Sequence, residues 1–574
     1  MKKRWKAKPF DKSAANRLQR ELDIDPVFCR LLAQRGVTTL DDARLFFRPR
    51  LDDLHDPFLM QDMEAAVARL DSAVQSGERI LLYGDYDVDG TTAVAMMHSF
   101  LRPFHEKLEY YLPDRYREGY GLSFEGLDYA RERGVGLIIA MDCGIKAREQ
   151  AQRARQLGID LIICDHHLPE ARLPNAAAVL DPKRADCPYP FKELSGCGVA
   201  FKLAQAYAQY RAWDTARVED LLDLVVISIA SDVVPIVGEN RTMAYFGLQK
   251  LNQTRRPGLL ALIGHSRRSL PFSIGDIVFG LAPLINAAGR LAKADQAVRL
   301  MLAGDTAEAE ALADQLDYRN QLRREYDQSH EKEAIELFLG QSDHQDRSSV
   351  VLYRPYWHRG VIGIVASRLA EHFFRPTVIL TRSDDTVVGS ARSVKDFDIH
   401  EAISACDGLL LSFGGHQFAA GLSLRPENVA AFQRRFEQVV SSTIRPDQMI
   451  PELQYDAELS FQQIAPKIWR LLQQFAPFGP GNRNPVFVAR GVRNSGYTRI
   501  LRNNHMRLGM HHQGVTFNGI AFGLGEAYKQ VTTRKPFDVC YSLREDNWNG
   551  GTSLQLVVKD IHFPGASAAA GNGA

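Results

Sequence analysis

Four short clusters of acidic residues and histidines stand out in the first part of the sequence. They are 84–92 (GDYDVDGTT), 142–144 (DCG), 165–167 (DHH) and 231–232 (SD). Aspartate and histidine ligands without thiolates suit Mn²⁺ or Mg²⁺ better than zinc. The clusters offer enough ligands for two ions about 3.5 to 4 Å apart, the spacing that supports in-line attack on phosphorus.

Each cluster by itself has an ordinary structural explanation. A D-x-D sequence is usually a turn, a His-His pair usually lies on the surface, and an aspartate at a helix end such as Asp232 is commonly a cap. An EF-hand calcium loop is excluded for Asp85 to Gly90, because Met96 stands where that loop needs a glutamate. Four clusters in series, each directly after an apolar run, favour one shared site.

Apolar runs before the clusters predict the buried strands of a parallel sheet. The runs are 80–83, 136–141, 159–164 and 176–180. Helix-length segments separate them, as in a sheet covered on both faces, and such a sheet collects its ligands at the carboxyl edge. A further apolar run, 221–230, predicts a buried helix that brings Asp232 to the same place.

The first cluster predicts an extended segment. Because residues 85, 87 and 89 alternate along it, we expect their carboxylates to point the same way. Gly90 then permits a sharp turn into a helix.

Composition excludes several classes of protein. A chain of 574 residues is too long for one core, and its net charge of +1 requires any polyanion-binding surface to segregate basic residues. No run approaches the roughly 18 to 20 apolar residues of a membrane span, and no apolar signal core follows the basic N-terminus. Seven scattered cysteines without a CxxC pair argue against structural zinc and a disulfide framework. We therefore expect a cytoplasmic protein.

The clusters, in this order, resemble the motifs of the DHH phosphoesterases. The matching segments are GDYDVDGTT, MDCG, CDHH and SDVVP, and 414–421 (GGHQFAAG) is similar to the GGH signature of the associated DHHA1 domain. Segments 286–290 (NAAGR), 357–363 (WHRGVIG) and 475–482 (FAPFGPGN) resemble the branch of this family that digests single-stranded DNA. The resemblance spans roughly residues 50–563.

The resemblance implies a multidomain α/β fold, in which a parallel-sheet DHH domain and a smaller α/β DHHA1 domain are joined by a long helix and followed by an OB-type β-barrel. The sequence itself supports the helix, since 306–339 lacks proline and is rich in good helix formers. Short alternating runs near the C-terminus likewise predict a small antiparallel barrel. The predicted bounds are an N-terminal helical segment 1–50, DHH domain 51–305, connecting helix 306–339, DHHA1 domain 340–440, OB domain 450–563 and disordered tail 564–574.

The resemblance also implies the roles of individual residues. Asp142 bridges two ions, His167 faces the scissile phosphate, and Asp85 stands beside the ligands, so that these three form the catalytic set. The implied metal ligands are Asp87, Asp89, Asp142, His166 and Asp232. The implied substrate-binding residues are Arg115, Asn286, Arg290, His358, Ser390, Arg392, Gly414, Gly415 and His416, of which Arg115, Ser390 and Arg392 form a 5′-phosphate pocket. Leu284 departs from the family, which has arginine there, and this puts one contact to DNA in doubt.

The implied activity is a 5′-to-3′ exonuclease that releases mononucleotides from single-stranded DNA in DNA repair and recombination. The implied partners are single-strand-binding protein and a DNA helicase, with the enzyme itself a monomer. One alternative is a DHH enzyme for short oligonucleotides or pyrophosphate, which the long connector and the barrel disfavour. Another is a non-catalytic replication accessory, which the filled ligand positions disfavour. Basic and aromatic residues interleave at 493–507, as in a single-strand groove, but a barrel edge or a protein-docking surface explains them equally.

Overall fold

The computed structural model describes residues 3–291, 294–533, 535–546 and 553–564. The chain forms two compact units. Unit 1 contains His55–Val234 and Phe246–Pro451, and unit 2 contains Lys3–Leu54, Pro235–Tyr245 and Glu452–Ala574. The tail predicted at 564–574 lies outside the described residues from 565 onward. Among the described helices, none is long and apolar enough to cross a membrane.

Nineteen strands lie in the described ranges. They are β1 Arg4–Ala7, β2 Arg79–Gly84, β3 Leu108–Tyr111, β4 Val135–Met141, β5 Asp160–Cys164, β6 Ala178–Leu180, β7 Val350–Tyr353, β8 Thr377–Ser383, β9 Thr386–Arg392, β10 Leu410–His416, β11 Ala419–Leu424, β12 Glu452–Tyr455, β13 Ala457–Glu458, β14 Phe487–Asn494, β15 Arg499–Leu501, β16 His505–His512, β17 Val515–Ala521, β18 Phe537–Asp546 and β19 Ser553–His562.

The α-helices of the same ranges are α1 Lys12–Leu22, α2 Pro26–Ala33, α3 Leu40–Phe47, α4 Met63–Ser76, α5 Val88–Leu101, α6 Phe124–Glu132, α7 Arg148–Gln156, α8 Gly196–Tyr210, α9 Ala216–Glu219, α10 Leu222–Ser231, α11 Gly238–Asn252, α12 Pro257–His265, α13 Ile274–Asp276, α14 Ala282–Leu291, α15 Asp295–Met301, α16 Thr306–Leu339, α17 Ile362–Phe373, α18 Ile399–Ser404, α19 Val429–Thr443, α20 Pro466–Gln473 and α21 Tyr528–Val531.

The first sheet of unit 1 has the parallel arrangement predicted from the apolar runs. Its order is β3-β2-β4-β5-β6, and every neighbouring pair is parallel. Alternate residues such as Leu81 and Ile138 pack against α6 and α7 in one apolar core. Helices α5 and α8 also contact the sheet. The carboxyl ends of β2, β4 and β5 therefore meet at one edge, where the acidic clusters follow.

The extended segment predicted for residues 85–89 is wrong beyond Asp87. The Asp87 carboxylate accepts hydrogen bonds from the backbone N–H groups of Asp89 and Gly90, at 2.9 and 3.2 Å, and thereby caps α5. A capping carboxylate satisfies the free N–H groups of a helix start, so the helix begins earlier than the alternation suggested. Gly90 is required for this path, since a Cβ there would lie 2.4 Å from the backbone of Asp85.

A long helix leads from the first sheet to a second sheet in unit 1. Helix α16 has the predicted bounds, and Asp305 caps its start. The second sheet has the order β10-β11-β9-β8-β7, with only β7 and β8 parallel. Its order leaves β10 as an edge strand and places β9, which carries Ser390 and Arg392, at the centre.

The predicted barrel forms most of unit 2. Its seven strands have the order β13-β14-β18-β19-β17-β16-β15, and a further pairing of β14 with β16 closes it. The pairings are mostly antiparallel, as predicted, and two of them, β13 with β14 and β17 with β19, are parallel. Residues 4–7, within the segment predicted as helical, form a strand parallel to β12. The helices that follow share the barrel's core through Phe28 and Phe46.

A buried arginine connects three segments of unit 2. The Arg241 guanidinium donates to the carbonyl oxygens of Phe46 (2.9 and 3.1 Å), Phe475 (2.9 Å) and Ala476 (2.9 Å). It also lies 3.9 Å from the centre of the Phe46 ring. Asn482 donates to the carbonyl of Phe475 at 2.7 Å. Segment 475–482 therefore serves to join the N-terminal helices to the barrel.

We expect Arg241→Ala to lower the free energy of unfolding of unit 2 by more than about 3 kcal/mol, because several buried carbonyl oxygens lose a charged donor. Chemical denaturation followed by tryptophan fluorescence measures the change. Arg470→Ala, which removes an exposed arginine of the same unit, is the matched control and should alter stability by less than about 0.5 kcal/mol. Equal effects of the two substitutions would contradict the assigned role.

Candidate active site

The acidic centre of unit 1 is assembled from the ends of three strands and one helix. Asp85 and Asp87 follow β2, and Asp142 follows β4 in a left-handed conformation with φ of 60°. His166 follows β5, and Asp232 caps the C-terminal end of α10 as predicted. All the acidic clusters singled out in the sequence thus reach the same edge of the sheet.

His166 stands among three of these carboxylates. Its Nε2 lies 3.3 Å from Asp142 Oδ1, 3.6 Å from Asp232 Oδ2 and 3.9 Å from Asp89 Oδ2. Neither ring nitrogen has a hydrogen-bond partner among the described residues, although the ring is buried. Buried polar atoms are almost always partnered in folded proteins. An imidazole left in this state among carboxylates fits a metal ligand.

A second group of carboxylates adjoins the first. Oxygens of Asp85, Asp87 and Asp142 lie within 4.8 Å of one another, as do ligand atoms of Asp142, His166 and His167, and of Asp89, His166 and Asp232. Asp142 takes part in two of these three groups. Such a donor set, of carboxylates and imidazole without thiolate, matches the preferences of Mn²⁺ and Mg²⁺.

Burial and mutual repulsion govern the charges of the centre. Burial, together with the neighbouring carboxylates of Asp89 and Asp87, raises the pKa of Asp142 well above its usual range. Burial also raises the pKa of Asp85 and of Asp232, and nearby aspartates add to both shifts. The carboxylates therefore resist ionisation together. Divalent cations at their centre would remove the repulsion and hold them ionised.

Asp89 is held by groups that sequence reasoning missed. Its carboxylate accepts hydrogen bonds from the backbone N–H of Gly196 (2.7 Å) and Cys197 (2.8 Å) and from Ser228 Oγ (2.7 Å). The first two belong to the start of α8, where free N–H groups and the helix dipole favour a negative charge. Segment 195–198 (SGCG) contained the signal, a serine cap followed by glycines.

His167 is oriented by a buried aspartate that was not among the predicted site residues. Asp165 Oδ1 lies 2.7 Å from His167 Nδ1 and also accepts from the backbone N–H of His166. Burial acts to lower the pKa of His167, but the hydrogen bond and charge of Asp165 outweigh it and raise the pKa. Tyr120, also missed, places its hydroxyl near the same ring and donates to the Asp142 carbonyl oxygen at 2.9 Å.

A cationic cavity of about 450 Å³ lies beside the acidic centre. Tyr86, between Asp85 and Asp87 in the sequence, is part of its wall. The predicted residues that line the cavity are Arg115, Arg290, Ser390 and Arg392. Arg359 and Arg368 also line it, as does the start of α17.

The arginines of the cavity are crowded. Burial lowers the pKa of Arg290 to about 10, and the charges of Arg115 and Arg323 contribute. Burial and the charge of Arg115 likewise lower the pKa of Arg392. Arg392 nevertheless stays fixed, because it donates to Ser390 Oγ at 3.0 Å and Ser367 Oγ at 3.1 Å. Confined cations of this kind are stabilised by an anion such as phosphate.

The remaining predicted binding residues lie elsewhere. His358 does not line the cavity in the described part of the chain; its ring stacks on Tyr326, with 5.3 Å between the ring centres, and its Nδ1 accepts from Gly360 N–H. Asn286 is half-buried on α14, one turn before Arg290. The predicted loop of Gly414, Gly415 and His416 forms the exposed end of β10.

Comparisons with known proteins match three domains of this chain to family models. The DHH family, N-terminal domain, matches residues 79–229, the DHHA1 domain matches 346–442, and the RecJ OB domain matches 455–560. The single-stranded-DNA-specific exonuclease RecJ of Bacillus subtilis (strain 168) is 35% identical over 97% of this chain and 71% of its own length. The chain belongs to the RecJ family.

Other RecJ proteins are similar over most of the chain. RecJ of Escherichia coli (strain K12) is 33% identical over 94% of this chain and 96% of its own. The crystal structure of RecJ from Thermus thermophilus in complex with Mn²⁺ has a TM-score of 0.84 and 26% identity, covering 98% of this chain and 80% of that one. Its complex with Mg²⁺ has a TM-score of 0.78 and 25% identity, covering 98% and 78%. These matches confirm the family and the fold class predicted from the motifs.

We expect Gly196→Ala to reduce exonuclease activity about 10- to 100-fold, the range for groups that support metal ligands. A Cβ at this position would lie 2.5 Å from Asp142 Cβ and 2.7 Å from Asp142 Cα, so Asp142 must shift. Mn²⁺ affinity, measured by titration calorimetry, should fall in parallel. In Gly198→Ala, the control in the same helix, the nearest atom to the added carbon is Ser195 Oγ at 3.3 Å, and Leu194 is in ordinary contact at 3.6 Å. A normal Mn²⁺ affinity of the Gly196→Ala variant would refute the inference that Gly196 packs too closely against Asp142 to carry a side chain.

Proposed function

We propose that this protein is a single-stranded-DNA-specific exonuclease that hydrolyses phosphodiester bonds from the 5′ end and releases mononucleotides. The observation that carries the proposal is the shared loop: Asp85 and Asp87 belong to the acidic centre, and Tyr86 between them lines the cationic cavity. A terminal phosphate in the cavity would place the adjoining phosphodiester at the acidic centre. An exonuclease that starts at a 5′ end requires a binding site for the terminal phosphate next to its hydrolytic centre.

Asp87, Asp89, Asp142, His166 and Asp232 would hold two Mn²⁺ or Mg²⁺ ions, with Asp142 shared between them. When bound, the ions lower the pKa of water and stabilise negative charge on the attacking and leaving oxygens. The protein residues orient the reacting groups. His167, fixed by Asp165, directs its other ring nitrogen away from that carboxylate and holds a proton that a phosphate oxygen can accept. Asp85 accepts from the backbone N–H of Gly121 at 3.4 Å, and its Oδ2, which has no hydrogen-bond partner among the described residues, stays beside the ligands.

The cationic cavity would bind the 5′-phosphate. Arg392 and Ser390 would donate to its oxygens, and Arg115, which lines the same cavity, would neutralise its charge. The start of α17 adds the free N–H groups of a helix N-terminus. Gly363 keeps this wall open, because a Cβ there would lie 3.1 Å from both Ser390 Oγ and Arg392 Nη2.

The barrel would hold a more distant part of the strand. Tyr497 is exposed over 79% of its surface and Ile500 over 57%. Arg499 and Arg507 are cross-strand partners on β15 and β16. Exposed rings that stack on bases, with arginines to meet phosphates, are typical of sequence-independent binding to single strands.

Further proposals follow from the family resemblance. We propose that the protein is a cytoplasmic monomer that acts in DNA repair and recombination. Its proposed partners are single-strand-binding protein and a DNA helicase. The domain bounds given above and the roles of His358 and the Gly414 to His416 segment in binding DNA are proposed on the same ground.

Digestion of single strands labelled at either end tests the activity. With Mn²⁺, a 5′-labelled strand should release labelled mononucleotide at once, while a 3′-labelled strand shortens progressively. Asp142→Asn should lower the rate by at least about 100-fold, because losing a shared ligand costs more than losing a supporting group. The variant should keep its circular dichroism spectrum. Substantial turnover by Asp142→Asn in saturating Mn²⁺, or release of label first from the 3′ end, would refute the assignment.

Arg392→Gln should slow removal of the first nucleotide from 5′-phosphorylated strands about 10- to 100-fold, the value of a hydrogen bond to a charged group. Strands with a 5′-hydroxyl should respond much less, since they lack the group that Arg392 binds. Single-turnover cleavage of both substrates measures the difference. Arg382→Gln removes an exposed arginine of the same sheet and should leave both rates unchanged. An equal loss on the two substrates would place the 5′-phosphate elsewhere.

A further inference from the structure

A surface groove in unit 1 lies apart from the acidic centre and the cationic cavity. Its volume is about 1020 Å³, and it runs between α7 and segment 170–175. Both walls continue from the carboxyl edge of the first sheet. Lys146 comes shortly after Asp142, and Glu170 shortly after His167. The groove therefore begins at the same edge of the sheet as the acidic centre.

Four cations line the groove without ion-pair partners among the described residues. They are Lys146, Arg148, Arg155 and Arg172, and all are exposed. By contrast, Arg153 on the same helix lies 3.8 Å from Asp128. Phosphates can therefore bind these four cations without first breaking an ion pair.

The other lining groups indicate which kind of polyanion the groove suits. Four amide side chains, of Gln150, Gln152, Gln156 and Asn175, can donate to phosphate and sugar oxygens. Two acidic side chains, Glu149 and Glu170, leave a net positive charge. The only apolar lining residue in the described chain, Leu173, is half-buried. An acidic protein segment usually needs an apolar anchor pocket as well, so the lining favours nucleic acid.

We propose that this groove binds a further segment of the single-stranded DNA, beyond the nucleotides held at the acidic centre. The proposal rests on the proposed function and adds a part of the substrate path. In the strand order, the cationic cavity adjoins β3 and β2, the centre follows β2, β4 and β5, and the groove follows β4 and β5. A strand that enters the cavity with its 5′-phosphate and crosses the centre is thus directed to the groove.

The dimensions of the groove suit several nucleotides. Helix α7 has nine residues and is therefore about 13 Å long at about 1.5 Å per residue. One strand of a DNA helix carries a phosphate about every 3.4 Å along the helix axis, and the spacing is larger in an extended strand, so α7 spans more than one phosphate. Arg148 and Arg155 stand two turns apart on α7, which lets them meet different phosphates.

The double variant Arg148→Gln/Arg155→Gln tests the proposal. Its dissociation constant for a long single strand should rise about tenfold, as expected for two exposed ion pairs. The slope of log affinity against log salt should become shallower by about 1.4, since each phosphate contact on a single strand contributes about 0.7. Cleavage of a substrate of about four nucleotides, too short to reach beyond one small site, should not change. Arg425→Gln/Arg434→Gln removes two exposed arginines elsewhere in unit 1 and should have no effect on any measurement.

The charge-retaining variant Arg148→Lys/Arg155→Lys should preserve the salt slope. If it loses as much affinity as the glutamine variant, charge is not the cause and the proposal fails. An unchanged dissociation constant and slope in the glutamine variant would also overturn it. The proposed exonuclease function would stand in that case, because cleavage of the short substrate tests it separately. If the glutamine variant lost binding to polyglutamate but bound DNA normally, the groove would be assigned to a protein partner and the proposal would be overturned.

Discussion

Repulsion among the carboxylates at one edge of the first sheet is the constraint on which the rest of unit 1 depends. Five aspartates and two histidines meet there, and the raised pKa of Asp142 expresses the cost of ionising the carboxylates together. The fold meets part of this cost with N–H donors. The start of α8 and Ser228 donate to Asp89, and the N–H groups at the start of α5 donate to Asp87. What remains is a demand for cations, which divalent metal ions fulfil.

A second constraint is that the acidic centre and the cationic cavity, which have opposite charge, lie next to each other. Tyr86 separates them, and the Arg115 guanidinium lies 5.0 Å from the centre of its ring. Helix α14 passes so near that a Cβ at Gly289 would lie 2.7 Å from the Tyr86 carbonyl oxygen. Arg290, next in the chain, donates to the Gly360 carbonyl oxygen at 3.2 Å. Segment 286–290 thus fixes the wall between the two sites and joins the two sheets of unit 1.

The sequence was most informative where a cluster of acidic residues or histidines directly followed an apolar run. Apolar runs predicted every strand of the first sheet that leads into the acidic centre, and helix α16 has its predicted bounds. The local conformation at Asp87 could not be inferred from the alternation of aspartates. Aspartates at every second position are compatible both with an extended segment and with a capped helix start. Two roles were missed for different reasons. Asp165 stands in the DHH cluster, but the cluster does not show that its carboxylate fixes the ring of His167 two residues later. Gly196 packs against Asp142 from a distant part of the sequence, and such a contact leaves no spacing to read.

The discontinuity of unit 2 has a consequence for synthesis on the ribosome. Phe28 and Phe46 pack in a core completed by Phe475 and the barrel strands, and roughly 400 residues separate the two contributions. At about 5 to 20 residues per second, the N-terminal helices wait roughly 20 to 80 s for their partners. During that time their apolar faces have only chaperones or each other for cover. Unit 1 ends at Pro451, before the barrel strands are synthesised, so the nascent chain passes through a stage in which the residues of the acidic centre are all present but the barrel is not.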